Sequence, residues 1–104
     1  MIARVWRGHV PTRERADRYV DFVTGHVLPE LRQISGHRGA YVLRHNDGEG
    51  AEFVVLTLWD SIDAIRAFAG DDPERSVVEP EARALLDRFD DRAVHYTVVH
   101  HDAD

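Results

Sequence analysis

The sequence contains no cysteine and no lysine among its 104 residues. Without cysteine the chain forms no disulfide, no thiolate nucleophile and no cysteine-ligated metal site. Without lysine it forms no Schiff base through a side-chain amine, which excludes that class of covalent catalysis. Because a lack of cysteine is typical of proteins from reducing compartments, we expect a cytoplasmic protein.

Long hydrophobic runs are also missing. No segment approaches the roughly 20 apolar residues that a membrane helix requires. Residues 1–10 alternate apolar side chains with Arg and His, a pattern that does not resemble a secretory signal. The formal net charge of −6 disfavours binding to nucleic acid, which needs a positive field. We therefore expect neither a membrane nor a nucleic acid as partner.

The length and composition indicate a single globular domain spanning residues 1–104. A hydrophobic content of 43% supports one core, and a second domain would lack a core of its own at this length. The sequence contains no internal repeat, linker or low-complexity segment, so we treat the whole chain as one folding unit.

The order of the predicted elements is strand, helix, strand, strand, helix, strand. Short β-branched and aromatic runs predict strands, and apolar residues at helical spacing predict helices. The predicted strands are 2–10, 36–46, 51–59 and 93–100. A first helix is predicted over 13–34, where Gly25 and Pro29 should break or kink it. A second helix is predicted from Asp60-Ser61 to Gly70, and a further helical stretch over 80–89.

This order predicts an α+β, ferredoxin-like βαββαβ fold. A right-handed split βαβ arrangement places the strands in a four-stranded antiparallel sheet with the helices on one face. The sequence DGEG at 47–50 supplies the turn residues for a hairpin between the second and third strands.

Both faces of the third predicted strand are apolar. Val54, Leu56 and Leu58 alternate with a second set formed by Phe53, Val55, Thr57 and Trp59. We assign the second set to the face away from the helices, together with Trp6 or Ile2 and Tyr41 or Leu43. Because soluble monomers avoid large exposed apolar patches, we expect two copies to pair face to face as a homodimeric barrel.

The segment around Trp59 resembles a known family. Residues 58–68, LWDSIDAIRAF, followed by GDDP at 70–73, resemble the Trp-Glu-Ser-type motif of antibiotic biosynthesis monooxygenase domains. The opening strand, MIARVW, and the hairpin sequence GAYVLR at 39–44 are also similar to small bacterial members. The resemblance covers nearly the whole chain.

The resemblance implies a dimeric α+β barrel whose lumen holds a flat, apolar ligand. Well-known members are cofactor-independent oxygenases of polycyclic phenols and anthrones, and relatives degrade haem. The resemblance also implies that Trp59 lies in or beside the pocket. Two functional residues of the family are missing here: Val55 stands where anthrone oxygenases carry Asn, and the region around residues 77–79 lacks the proximal His of the haem degraders.

Several residues are candidates for binding or catalysis. We expect Trp59 to stack on a planar ligand, and the candidate binding set is Trp59, Trp6, Tyr41, Val55 and Phe53. Arg4 shares a strand face with Ile2 and Trp6, so it would need an anionic partner if it is buried; an interface salt bridge is the alternative. His95 is a candidate base, although alternation lets either His95 or Tyr96 face the lumen.

The seven histidines do not form a metal-ligand motif. None of them makes a helical i, i+4 pair, and we expect no metal and no cofactor. We therefore consider a cofactor-independent oxygenase of a small aromatic or quinol-like compound. The alternative is a non-catalytic module that binds an apolar metabolite in the same lumen, and haem degradation is a third, less favoured hypothesis.

Overall fold

The computed structural model describes residues 1–103 and has an α+β fold. The strands are β1 (Ile2–Val10), β2 (His37–Asp47), β3 (Gly50–Trp59), β4 (Arg88–Phe89) and β5 (Val94–Thr97). The helices are α1 (Arg13–Phe22), α2 (Leu28–Leu31), α3 (Ile62–Ala69) and α4 (Pro80–Leu85), and a π-helical turn (Val23–Val27) joins α1 to α2. No helix in this part of the chain is long and apolar enough to cross a membrane.

The sheet is antiparallel, and β1 lies at its centre. The strand order is β2-β3-β1, and both β4 and β5 pair with the other edge of β1. This topology confirms the predicted ferredoxin-like fold. The register aligns Arg4 of β1 with Thr57 of β3 on one side and with His95 of β5 on the other.

The sheet has five strands because residues predicted as the end of a helix form β4. Leu86 has extended backbone angles, φ −83° and ψ 139°, and ends α4. The N–H of Asp87 then donates to His9 O at 3.0 Å, and that of Asp90 to Arg7 O at 2.9 Å. The residues after Leu86 therefore pair with the free edge of β1 and do not form a last turn of α4.

The first helical region is continuous from Arg13 to Leu31, although we predicted a break or kink. Thr12 begins it as N-cap, accepting from Arg15 N–H at 3.1 Å. Pro29 has no N–H to donate to the carbonyl four residues earlier. A π-helical turn, in which Leu28 N–H donates to Val23 O, immediately precedes it. The wider turn accommodates the proline without ending the helix.

The second predicted helix begins at Ser61, whose hydroxyl accepts from Ala64 N–H at 3.1 Å. Asp60, at the predicted start of this helix, lies before the N-cap and pairs with Arg38 at 2.7 Å. This ion pair joins the end of β3 to the beginning of β2.

The predicted assignment of the two sheet faces was wrong. Phe53 and Trp59 are fully buried against the helices, where Phe53 contacts Tyr19 and Trp59 packs with Ile65. The face away from the helices, here called the outer face, carries Val5, Tyr41, Leu43, Val54, Leu56, Leu58, Val94 and Tyr96. Alternation tells which residues share a face. It does not tell which face the helices cover when both are apolar.

Candidate functional site

A small cavity lies between the helices and the buried face of the sheet. Its volume is about 60 Å³. Trp6 and Val55 form its floor on the sheet, Phe22 of α1 and Phe68 of α3 line its walls, and residues 77–79 close one side. The lining is mostly apolar, as in sites that bind small organic molecules.

Among residues 1–103, Arg4 is the one cation that lines this cavity. Its side chain is buried, at 5% exposure, because β1 is the central strand and Arg4 faces the helices. Nη2 donates to Arg75 O at 2.7 Å, and Nε makes a longer contact of 3.5 Å to Pro73 O. The guanidinium carbon also lies 5.3 Å from the ring centre of Phe68.

The Arg4 guanidinium stays charged at neutral pH although its site disfavours charge. Burial, and then the nearby positive charge of Arg75, lower the pKa of Arg4 to about 10. Within residues 1–103 Arg4 makes no ion pair with a carboxylate; its hydrogen bonds go to backbone carbonyls. The cavity wall therefore contains a buried positive charge that only the dipoles of backbone carbonyls stabilise.

Thr57 lies beside Arg4 on the neighbouring strand and also lines the cavity. It is 3% exposed, and its hydroxyl oxygen accepts from Trp59 Nε1 at 2.8 Å. Because the oxygen serves as acceptor for the indole, the hydroxyl proton remains able to donate to a group in the cavity.

His95 completes a row of three side chains across the sheet, Thr57 on β3, Arg4 on β1 and His95 on β5. Burial, and then the charge of Arg4, lower the pKa of His95, so the imidazole is neutral at pH 7. Its Nε2 is buried and has no hydrogen-bond partner among residues 1–103. His95 borders Arg4 but does not itself line the cavity.

Tyr19 and Glu79 add two further polar groups to the cavity wall. Burial raises the pKa of the Tyr19 phenol, so that it remains protonated and can donate. Glu79 is half-buried at the N-cap of α4, where its side chain makes no capping hydrogen bond. It is the one carboxylate among the lining residues in the described part of the chain.

The structure separates the residues that we had grouped as a binding set. Trp6 and Val55 line the cavity. Trp59 and Phe53 are fully buried and do not line it, although Trp59 stacks on the lining residue Phe68 with ring centres 6.1 Å apart. Tyr41 lies on the outer face and is 56% exposed.

The structure also decides the orientation that alternation left open on the last strand. His95 pairs with Arg4 on the helix side, while Tyr96 is 54% exposed on the outer face. Trp6 donates its indole N–H to Ser76 Oγ at 2.7 Å and to Asp90 O at 3.1 Å, so this donor is already occupied.

Sequence reasoning missed Tyr19, Thr57 and Glu79. Thr57 had a visible signal, since it is the one polar residue in an otherwise apolar set on its strand face. Tyr19 and Glu79 had no such signal, because each lies in a segment where polar and apolar residues mix. Only packing shows that they share a cavity.

None of the seven histidines lines the cavity. Residues 1–103 also contain no group of three or more His, Asp or Glu side chains arranged to hold a metal ion. The described lining therefore offers no imidazole as an axial ligand for a haem iron.

Comparisons with solved structures show the same fold in several proteins. A candidate antibiotic biosynthesis monooxygenase from Bacillus cereus is 17% identical, with a TM-score of 0.69, over 100% of this chain and 96% of its own. The monooxygenase ActVA-Orf6 of Streptomyces coelicolor, in complex with nanaomycin D, is 21% identical, with a TM-score of 0.64, over 99% and 91%. The haem degrader MhuD of Mycobacterium tuberculosis, with two haems bound in its active site, is 20% identical, with a TM-score of 0.65, over 99% and 100%.

At these identities the structural likeness establishes the fold alone, and no curated protein matches the sequence significantly. The sequence evidence comes from a family model described as antibiotic biosynthesis monooxygenase, which matches residues 9–79. Since this match covers well over half of the chain, the protein belongs to the antibiotic biosynthesis monooxygenase family.

Proposed function

We propose that this protein is a cofactor-independent monooxygenase of a small aromatic or quinol-like compound, which binds in the cavity between the sheet and the helices. The observation that supports this most directly is the composition of the cavity. Aromatic and aliphatic side chains form its floor and walls, and a few polar groups lie at defined positions among them. Such a lining is typical of sites for small, flat organic molecules.

The cavity must widen to accept an aromatic ring. Its volume is about 60 Å³, whereas a cavity of about 150 Å³ is known to hold benzene. The wall at residues 77–79 belongs to the irregular segment between α3 and α4. Displacing this segment enlarges the cavity without breaking the sheet, so it is the wall that we expect to move.

The proposed reaction needs no redox group from the protein. In a substrate of the anthrone type, loss of a proton from the ring methylene gives an anion that can pass electrons to O2. The methylene carbon then gains one oxygen atom as a carbonyl, and the second oxygen leaves as water with the two methylene hydrogens. The protein contributes a dry site, stabilisation of the anion and a base.

Glu79 is the residue that we assign as the base. A carboxylate on the cavity wall can accept the methylene proton if the substrate places its reacting carbon within hydrogen-bond reach. Its position at the N-cap of α4, with no capping hydrogen bond, leaves its oxygens free for this role.

We also propose that the working unit is a homodimer built through the outer face. Tyr41, Leu43, Val94 and Tyr96 are each 45% to 56% exposed there. Burying a large apolar side chain contributes about 1.5–3 kcal/mol, so covering eight such residues per chain favours pairing. A second copy presents the same apolar surface and closes two sheets into a barrel. A cytoplasmic location remains a prediction from the lack of cysteine.

A non-catalytic binding module is the second candidate, and Val55 supports it. This residue lies on the cavity floor and can neither donate nor accept a hydrogen bond. A cavity whose floor lacks a polar group at this point can hold an apolar metabolite without activating it.

Oxygen consumption with a panel of anthrones and hydroxylated aromatic compounds tests the proposal. We expect uptake of O2 above the background rate and a product that contains one added oxygen atom. Val55→Phe, which fills the cavity floor, should abolish the activity, whereas Val99→Phe, at a position 92% exposed, should retain it. Ligand binding without product formation across the panel would reject the oxygenase and favour the binding module.

A further inference from the structure

Arg4 is a buried cation at the edge of an apolar cavity, and its local partners do not neutralise it. We propose that the natural ligand is an aromatic molecule with an anionic oxygen, a carboxylate or a phenolate, and that this oxygen binds the Arg4 guanidinium. The inference uses the same cavity as the proposed function. It specifies the charge of the ligand, and it does not require a reaction with oxygen.

The first step of the argument concerns charge. Arg4 is only 5% exposed, so its guanidinium loses most of its hydration, and two backbone carbonyls replace only part of it. The charge of Arg75 lies close enough to lower the pKa of Arg4 further. An anion in the cavity relieves both effects at once, because it pairs with Arg4 and reduces the repulsion between the two arginines.

The second step concerns free donors. Arg4 uses Nη2 for Arg75 O and Nε for Pro73 O, while Nη1 donates to no other group among residues 1–103. A ligand oxygen can therefore bind at Nη1 without displacing either carbonyl. Charge-assisted hydrogen bonds of this kind are about twice as strong as neutral ones.

The third step concerns the other polar side chains that line the cavity. The Thr57 hydroxyl can donate, since its oxygen already accepts from Trp59. The Tyr19 phenol also remains a donor, because burial keeps it protonated. Thr57 is the residue paired with Arg4, so its hydroxyl can donate to the same ligand oxygen, while Tyr19 offers a further donor elsewhere on the wall. Glu79 is the exception, and its charge disfavours an anionic group placed beside it rather than beside Arg4.

A purely structural role for Arg4 is the competing explanation. Its hydrogen bonds to Pro73 O and Arg75 O hold the irregular segment between α3 and α4 against the sheet. In that case ligands would bind with the same affinity whether they are charged or neutral. A comparison of ligands that differ only in charge therefore separates the two explanations.

The experiment titrates the full-length protein with benzoate and with benzamide, which have the same ring and nearly the same shape. Calorimetry gives the affinities, and the indole N–H resonance of Trp6 reports occupancy of the cavity. We expect benzoate to bind about tenfold more tightly, in line with a charge-assisted hydrogen bond. Equal affinities, or tighter binding of benzamide, would overturn the proposal, as would a failure of benzoate to bind.

4-Nitrophenol distinguishes a phenolate from a carboxylate as the natural group. At a pH below the pKa of the free probe, binding beside Arg4 should convert it to the yellow phenolate. Colour formation supports a phenolate ligand. Tight binding of benzoate without colour formation supports a carboxylate ligand.

Variants at two arginines of the same strand provide the residue-level test. Arg4→Gln should remove the preference for benzoate over benzamide, and Arg4→Lys should restore part of it. Arg7→Gln, at an exposed position of β1, should leave the preference unchanged. A preference that persists in a folded Arg4→Gln protein would overturn the proposal. If Arg4→Gln does not fold, the two-ligand comparison in the wild-type protein still decides.

The outcomes also separate this inference from the proposed function. A preference for anions without oxygen uptake on any substrate rejects the oxygenase but supports the anion site. Oxygen uptake with equal binding of charged and neutral probes rejects the anion site and leaves the oxygenase in place.

Discussion

Trp59 donates its indole N–H to the hydroxyl of Thr57, two residues earlier on the same strand, at 2.8 Å. Both side chains are buried on the helix face of β3, at 0% and 3% exposure. This hydrogen bond gives the buried indole N–H an acceptor that it would otherwise lack in the core. It also fixes the orientation of the Thr57 hydroxyl beside Arg4.

Replacing Thr57 by Val, which has nearly the same shape, removes the acceptor of this hydrogen bond. Because the Trp59 N–H is then buried without a partner, we expect the free energy of unfolding to fall by about 1–3 kcal/mol. Urea denaturation measures the loss. Thr57→Ser keeps the hydroxyl and should lose less; a Val variant as stable as the wild type would contradict the role assigned to this bond.

Replacing Glu79 by Gln tests the proposed base. If the carboxylate accepts the substrate proton, kcat should fall by about 10²–10⁴-fold while KM changes little, because the shape of the wall is kept. Steady-state oxygen uptake with the best substrate of the panel measures both constants. Glu81→Gln, at an exposed position of the same helix, is the control. Unchanged kcat in Glu79→Gln would remove Glu79 from the mechanism.

Replacing Leu56 by Glu tests the proposed dimer. Leu56 lies at the centre of the outer face, paired with Val5 on one side and Tyr41 on the other. A charge there has no partner in a face-to-face pair of sheets, so the dimer should dissociate. Native mass spectrometry and light scattering should show a dimer for the wild type and a monomer for the variant.

The control for this experiment is Arg18→Glu, which changes charge at an exposed position of α1. This variant should remain dimeric. A monomeric wild-type protein would reject pairing through the outer face.

His9 lies between two carboxylates outside the cavity. Its Nδ1 is 2.8 Å from Asp87 Oδ1, and its Nε2 is 3.0 Å from Asp47 Oδ2. These contacts join β1 to the last residue of β2 and to the segment before β4. The hydrogen bond to Asp87, opposed by burial and assisted by Asp47, raises the pKa of His9 above 6.5. Burial acts to raise the pKa of Asp87, but its interactions with His9 prevail and lower it below 3.8.

Stability should therefore depend on pH in a defined direction. The contribution of protonated His9 is fully present below pH 6.5 and is lost as the pH rises through its higher folded-state pKa. The contribution of Asp87 is lost only as the pH falls below 3.8. We expect the difference in unfolding free energy between the wild type and His9→Gln to be largest between these values.

Urea denaturation over a pH series measures this difference. His45→Gln, at an exposed position of β2, should show no such dependence. A difference for His9→Gln that grows towards alkaline pH would contradict the assignment.

Local sequence patterns correctly predicted most of the helices and strands. The predicted helix start at residue 13 agrees with α1, which Thr12 caps. The apolar strand that ends at Trp59, and the hairpin before it, were visible from alternation and turn residues. Strand β4, after α4, was missed because it forms only by pairing with β1, which lies far away in the sequence. The backbone N–H groups of Asp87 and Asp90 donate to carbonyls of His9 and Arg7 in β1, about eighty residues earlier in the chain.

The candidate site was harder to predict than the fold. Arg4 was recognised as a charge on an apolar strand face, and His95 as one of two possible inward residues. The register that aligns Arg4 with both Thr57 and His95 follows from pairing three strands, which no local pattern specifies. The exposed position of Tyr41, and the absence of Trp59 from the cavity lining, follow from the face that the helices cover.

The sequence by itself determined the order of the elements apart from β4, the single apolar core, the absence of thiol and amine chemistry, and the presence of one arginine among apolar strand residues. These properties depend on composition and on near neighbours in the chain. The tertiary structure alone decided which sheet face is buried, which polar side chains line the cavity together, and which segments pair with the free edge of β1. These depend on packing between segments far apart in sequence, because an apolar residue can be buried equally well on either side of a sheet until the helices occupy one of them.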